Sequence, residues 1–208
     1  MTVPEGYALK NGLLWPAEDE ETRATLHLQV GDIATVCGHC RDFGVAVQAG
    51  GNVGIWPKDL GERFRVVYTF EPDPVNFRCL AANAPAENVF KFNAALGSEY
   101  GCVDLVRNPR RAGSHHVAGA GQIPTLRIDD LQLGTCDLIY LDVEGYEKRV
   151  LMGAADTIDR CGPTIAVEDR PSSERYGVSS GATVEWVLDR FNYRIAERLR
   201  RDVVMVPN

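Results

Sequence analysis

From residue 45 onward the chain alternates short apolar runs with segments of helical spacing, and this alternation leaves few folds open. Val45–Ala49, Val66–Phe70, 88–92, 137–142 and 164–167 read as strands. Residues 57–64, 74–84, 146–159 and 182–191 read as the helices that separate or follow them. Strand–helix–strand units of this length close into a mainly parallel sheet with helices on its faces. Residues 193–197 and 202–206 read as a closing antiparallel hairpin, and 102–107 as an extra edge strand. The expected class is therefore α/β. Residues 108–124 stand apart as a glycine-rich stretch without periodicity, containing Arg110, Arg111, His115 and His116. A loop of that length inside a compact domain is more often functional than idle.

Ahead of this region, Asn11-Gly12 lies between two apolar arms and suits the positive φ angles of a type I′ turn, so a short hairpin is expected. Asp19 and Asp32 are each placed to cap a helix. Ile33, Val36, Cys37 and Cys40 share one face of the second. Residues 1–44 thus read as a hairpin-and-helix extension packed on a 45–208 core, one structural domain overall, with no linker to divide it. A chain of 208 residues, 45% hydrophobic, can bury a sizeable core. Its net charge of −7 argues against coating nucleic acid and against docking on an anionic membrane. No apolar run approaches the roughly 20 residues that span a bilayer. The acidic start, with Glu5, Glu18, Asp19, Glu20 and Glu21, is unlike a signal peptide. A cytoplasmic setting with the six cysteines as thiols is the expectation.

Ligands of parallel sheets bind beyond the carboxyl ends of the strands. Gln48-Ala-Gly50-Gly51-Asn52-Val-Gly54 falls at that end of the first strand, where Gly50 and Gly51 admit a ligand close to the backbone and Gly54 lets the helix start tightly. The loop has neither the dinucleotide fingerprint nor the Gly-Lys-Ser/Thr of a phosphate loop. It suits a ligand without a pyrophosphate, the alternative being a plain strand-to-helix turn. Glu71 ends the second strand about 20 residues later, where a carboxylate can accept both hydroxyls of a ribose. Alone it reads as a capping or solvated acid. Loop and acid together point to a nucleoside.

Three ordered motifs now carry a resemblance. Val45-Ala-Val-Gln-Ala-Gly-Gly-Asn-Val-Gly54, Thr69-Phe-Glu-Pro-Asp-Pro74 and Leu141-Asp-Val-Glu-Gly-Tyr-Glu147 resemble the glycine loop, Glu-Pro-x-Pro and Asp-x-Glu-Gly-x-Glu signatures of the FkbM family of methyltransferases. Thr125-Leu-Arg-Ile-Asp-Asp-Leu131 is similar to the family's Thr-x-Asp-Asp-Leu segment. The likeness covers about residues 45 to 170. Trp56-Pro57 and the hairpin-bearing N-terminus look like compact stand-alone versions of the family, some of them carried by bacteriophages. The resemblance implies a Rossmann-like class I methyltransferase fold, S-adenosyl-L-methionine as cofactor with S-adenosyl-L-homocysteine as product, and methyl transfer to a hydroxyl of a small molecule or glycan. It further implies that Gly50, Asn52 and Gly54 hold the methionine moiety, with Gln48 and Gly51 also at the cofactor, Glu71 on the ribose and Asp73 nearby. Asn93 and Ala94 would sit near the adenine, and Asp142 beside the methyl. Two departures stand out. Gln48 occupies a position where the family commonly has Asp, which weakens an expected contact to the cofactor's ammonium, and Tyr140 replaces a usual Lys.

An alcohol nucleophile benefits from a base or a metal ion. Candidates for the base are His115 and His116, with solvated loop histidines as the alternative, and Asp142 and Glu144 at a strand end. Glu144 could instead cap the next helix or pair with an Arg or Lys. Asp142, Glu144 and Glu168 also form an oxygen-ligand set of the kind Mg²⁺ or Ca²⁺ takes, although no spacing rule demands a metal and none is expected. Arg110 and Arg111 suit an anionic substrate, or simply face water. Cys37-Gly-His-Cys40 has the form of a redox dithiol but stands at the end of a helical pattern, where both thiols read as small buried apolar groups. The remaining cysteines lack zinc-ligand spacing. Arg194, Arg198, Arg200 and Arg201 read as a solvated hairpin face. Two rival functions remain: a cofactor-binding protein without catalysis, and the dithiol oxidoreductase.

Overall fold

The computed structural model describes residues 3–25, 30–108 and 110–208. The expected extension over 1–44 and loop over 108–124 therefore lie partly outside the described residues. The chain opens with strands β1 (Tyr7–Lys10) and β2 (Leu13–Pro16), joined through Asn11 and Gly12 at φ of 52° and 77°, the expected type I′ geometry. Asp19 accepts the Thr22 N–H at 3.0 Å and caps helix α1 (Glu21–Thr25). Helix α2 (Val30–Cys37) begins before Asp32, which stands inside its first turn, where a carboxylate favours the helix dipole without capping it.

The parallel region follows. It comprises β3 (Val45–Ala49), α3 (Ile55–Arg63), β4 (Val66–Phe70), α4 (Pro74–Asn83) and β5 (Val89–Phe92). Next come β6 (Ala95–Leu96), β7 (Gly101–Val106) and β8 (His116–Leu126), which form a separate three-stranded sheet in the order β6-β8-β7. The strand expected over 102–107 is thus an edge, but of this second sheet. Much of the expected loop over 108–124 is strand β8, whose pairing with β7 shifts register around Val103. The chain then runs through β9 (Leu138–Leu141), α5 (Glu147–Met152), α6 (Ala155–Cys161), β10 (Thr164–Glu168), α7 (Ala182–Arg190), β11 (Tyr193–Arg198) and β12 (Asp202–Pro207). The single helix expected over 146–159 is broken at Gly153, which packs directly on the Gly97 carbonyl: a Cβ there would lie 2.0 Å from that oxygen.

The main sheet has seven strands in the order β11-β12-β10-β9-β3-β4-β5. Strands β10, β9, β3, β4 and β5 are parallel, and β12 runs antiparallel between β10 and β11 as the expected terminal hairpin. Alternate side chains feed two cores, as the pleat requires. Val47, Ile139, Leu141 and Ile165 pack against Val150, Leu151 and Ile158 of α5 and α6 and Val184 and Val187 of α7. Ala46, Val67, Leu138 and Tyr140 pack against Ile33 and Val36 of α2, Trp56 and Leu60 of α3 and Leu80 of α4. A sheet covered on both faces leaves its strand ends as the place for a ligand. The N-terminal hairpin seats on α4 through Asn83, whose amide accepts the Leu14 N–H at 2.8 Å and donates to the carbonyls of Leu14 and Val53. Among the described residues no helix is long and apolar enough to cross a membrane.

Candidate active site

The strand order reverses between β3 and β9, and a cleft of about 620 Å³ opens beyond their carboxyl ends. Its walls include Gly50 and Asn52 after β3, Phe70, Glu71 and Pro72 at the end of β4, Ala94 after β5, and Asp142, Glu144 and Tyr146 after β9. Leu96, Leu105, Ala112, His115 and Val117 close it from the second sheet and its connecting loop. A neighbouring recess of about 530 Å³ shares Gly50, Asn52, Asp142 and Glu144 and adds Gly51, Trp56, Arg111 and Arg201.

The glycine loop is shaped from below and from the side. The N–H groups of Gly50 and Gly51 both donate to the Phe70 carbonyl, at 3.0 and 2.9 Å. Gly50 has φ +83°, and a Cβ on it would stand 1.9 Å from the Asp142 carbonyl oxygen. Only glycine lets the loops after β3 and β9 approach this closely. Asn52 takes φ 45°, and its N–H donates to Glu71 Oε2 at 2.7 Å. The other Glu71 oxygen accepts the Asp73 N–H at 2.9 Å. Glu71 is only 5% exposed, and burial pushes its carboxyl up to about 7 although both N–H groups favour the ionised form. One acid therefore ties two loops together at the cleft wall.

The sequence after β9 divides its labour residue by residue. Asp142 enters both recesses, and its carboxyl is raised well above the ordinary range by burial and then by the charges of Glu168 and Glu144. Glu144 sits at φ 54°, a left-handed conformation rare for this residue type, and is raised by burial against the lowering pull of Arg170. Glu147, which sequence reasoning left without a role, is buried and accepts the N–H groups of Val143 and Gly145, each at 3.1 Å. Burial pushes it up to about 7. It starts α5 and holds the strained loop from within, so Glu144 caps nothing. One oxygen from each of Asp142, Glu144 and Glu168 lies within 4.8 Å of the others.

Other expected site residues, His115 apart, lie outside both recesses. Gln48 is fully buried, accepting from Thr69 Oγ1 at 2.5 Å and donating to the Ala49 carbonyl. Gly54 starts α3 against Leu80. Asp73 caps α4 through the N–H groups of Val75 and Asn76 and meets Arg107 Nε at 2.5 Å and His115 Nδ1 at 3.6 Å. Asn93 donates to the carbonyls of Glu71 and Pro72, shaping that turn from behind. His115 lines the cleft, with Nε2 at 3.1 Å from the Asn108 carbonyl. His116 begins β8 outside it, its proton affinity lowered by burial and by Arg175.

Arg201, expected on a solvated face, lines the smaller recess. It precedes β12 in the turn beside the carboxyl end of β10, where its carbonyl accepts the Asp169 N–H at 3.1 Å. Leu105 and Val117 also escaped notice, since the second sheet that presents them was read as edge and loop. Tyr140, at the family's lysine position, is buried, stacks on Trp56 with centroids 4.8 Å apart and donates to Asp202 Oδ2 at 2.7 Å. Asp129 of the Asp-Asp-Leu segment caps α6 by accepting from the Thr157 N–H and Oγ1, each at 2.8 Å. All six cysteines are free, and burial pushes Cys37 up to about 11 and Cys40 up to about 12, the reverse of an activated dithiol. His39, between them, pairs instead with Glu197 at 2.8 Å.

The model of the methyltransferase FkbM domain matches residues 48–195. A methyltransferase FkbM from Methylobacillus flagellatus KT aligns in structure with TM-score 0.52 and 18% identity over 81% of this chain; the chain spans only 44% of that protein's length. The N-methyltransferase NodS from Bradyrhizobium japonicum WM9, solved with S-adenosyl-L-homocysteine, aligns at TM-score 0.52 and 12% identity over 95% of this chain and 92% of its own. Magnesium protoporphyrin IX methyltransferase from Synechocystis PCC 6803 aligns at 0.50 and 11% identity, over 90% and 83%. These likenesses show a common Rossmann-like class I methyltransferase fold. No curated protein matches the sequence.

Proposed function

The chain belongs to the methyltransferase FkbM domain family, and from that membership we propose that it transfers the methyl group of S-adenosylmethionine to a hydroxyl oxygen of a small molecule or glycan. The observation that carries this reading is the meeting, in one cleft, of the glycine loop, Glu71 and Asp142. The fit to the cofactor rests on Gly50, where any side chain would force apart the loops after β3 and β9 that form the cleft, and on Glu71, a buried acid at the wall. Gly50, Gly51 and Asn52 would hold the amino-acid end and Glu71 the ribose hydroxyls, while Ala94, Leu105 and Val117 offer an apolar slot to the base. Gln48, Asp73 and Asn93 support these residues from behind, so the lost charge at Gln48 removes no wall of the cleft.

The bound cofactor supplies a sulfonium methyl already activated for transfer. What is left to the chain is alignment and the fate of the hydroxyl proton. Asp142 and Glu144 stand where an acceptor would enter, and their raised proton affinity suits them to take a hydrogen bond from that hydroxyl near neutral pH. His115 is held by Asn108 at the wall as a second acceptor. Arg111 and Arg201 favour an acceptor with negative character over a cationic one. The net charge of −7 argues against nucleic acid or an anionic membrane as partner, and six free thiols fit a reducing cytoplasm.

Calorimetric titration with S-adenosylmethionine and S-adenosylhomocysteine tests the cofactor, and release of S-adenosylhomocysteine from a panel of hydroxylated acceptors tests turnover. Binding of both without turnover would mark a cofactor-binding protein lacking catalysis. No binding of either would end the reading.

A further inference from the structure

We propose that Asp142, Glu144 and Glu168 form a binding site for one divalent oxygen-loving cation, Mg²⁺ or Mn²⁺, at the acceptor end of the cleft. The three residues come from the carboxyl ends of the adjacent parallel strands β9 and β10 and from the strained loop after β9. One oxygen of each lies within 4.8 Å of the other two. Two oxygens on opposite sides of one ion with metal–oxygen bonds of about 2.1–2.4 Å stand about 4.2–4.8 Å apart, so the cluster has the size that one ion spans.

A cluster of acids alone would not be enough. The second observation is at Glu168, whose side chain is 2% exposed. One of its oxygens pairs with Arg170, but Oε2 has no hydrogen-bond partner at all. A buried carboxylate oxygen without a donor costs free energy unless something occupies it. Among the described residues Arg170 is the one cation within ion-pair distance of the three carboxylates. Arg111, Arg175 and Arg201 act on Glu144 only through their charge.

Three protein oxygens fill half of an octahedral shell, and Asp142 and Glu144 line the recess, so the remaining positions can take water or the acceptor oxygen from it. This deepens the proposed methyl transfer and rests on it for the ion's use: a hydroxyl on the ion loses its proton more readily and is held in place for attack on the methyl carbon. The binding itself does not depend on that reading.

The test is Mn²⁺ titration of the chelator-treated protein, followed by the electron paramagnetic resonance signal of free Mn²⁺. One equivalent should be taken up, and Mg²⁺ should compete for it. Glu168→Gln should weaken uptake by about tenfold or more while calorimetric affinity for S-adenosylhomocysteine stays within about twofold. Glu144→Gln, at a half-buried position, gives a second reading if Glu168→Gln does not fold by circular dichroism. No uptake by the wild type, or equal uptake by wild type and the folded variants, overturns the site and leaves the proposed function standing. Normal Mn²⁺ uptake with no cofactor binding does the reverse.

Discussion

Glu71 serves two ends at once: it receives N–H groups from both flanking loops, and the same carboxylate faces the cleft. Glu71→Ala is therefore expected to weaken S-adenosylhomocysteine binding by about 1–3 kcal/mol, the usual cost of leaving buried donors without acceptors, as read by calorimetry. An unchanged affinity would mean the ribose lies elsewhere. Gly50 is the stricter test of the cradle, because its forbidden Cβ would meet backbone rather than a movable side chain. Gly50→Ala should push the loops after β3 and β9 apart and reduce cofactor affinity by about tenfold or more in the same titration. Tyr140 explains a departure from its family at the level of one residue: the phenol fills the space beside Trp56 and satisfies Asp202. Tyr140→Phe leaves that buried acid without its donor and should lower stability by about 1–3 kcal/mol in urea unfolding.

Elements differ in how far the sequence announces them. Strands β3 and β4 fall on the residues expected, because each is a continuous buried run set between a turn and a helix signal. The glycine loop was legible for the same reason: its place after β3 and its small residues both follow from local chemistry. Strand β8 was not legible. His116-Val-Ala-Gly-Ala-Gly-Gln-Ile-Pro-Thr-Leu126 has four small residues in a row near its centre, and its strand character comes only from pairing with β6 and β7. With β8 missed, Leu105 and Val117 could not be seen as a cleft wall. Glu147 hid because its partners are backbone groups of its own loop, which leave no trace in residue type. Arg201 hid because its meaning depends on which strand its hairpin joins. At this scale Glu147→Gln should disturb the loop after β9 more than the fold: turnover should fall by about tenfold or more while the thermal midpoint moves by only a few degrees, measured by product release and calorimetry.

For the molecule as a whole, three buried acids at strand ends or after them, Glu71, Glu147 and Glu168, are each held near 7 against 4.5 for the free side chain, first by burial. The folded protein thus binds protons more tightly than the unfolded chain between about pH 4.5 and 7. Their contribution to stability is complete below the lower value and is lost as pH rises through the upper one. The ligand-free thermal midpoint should accordingly fall by about 5 °C or more between about pH 5.5 and pH 8 at constant ionic strength, a trend scanning calorimetry reads directly. A flat or rising midpoint would contradict the burial of these carboxyls. The sheet carries one more consequence, in the order of its assembly. Strand β11 touches only β12, and β12, although later in the chain, is the one that touches β10. During synthesis β11 therefore emerges with no neighbour to join, and the flank of β10 stays bare until residues 202–207 leave the ribosome and slot into the gap. This edge of the sheet is closed from the inside by a strand that follows its neighbours in the chain, so a nascent chain halted before residue 202 would carry the parallel strands beside an adhesive, unfinished border.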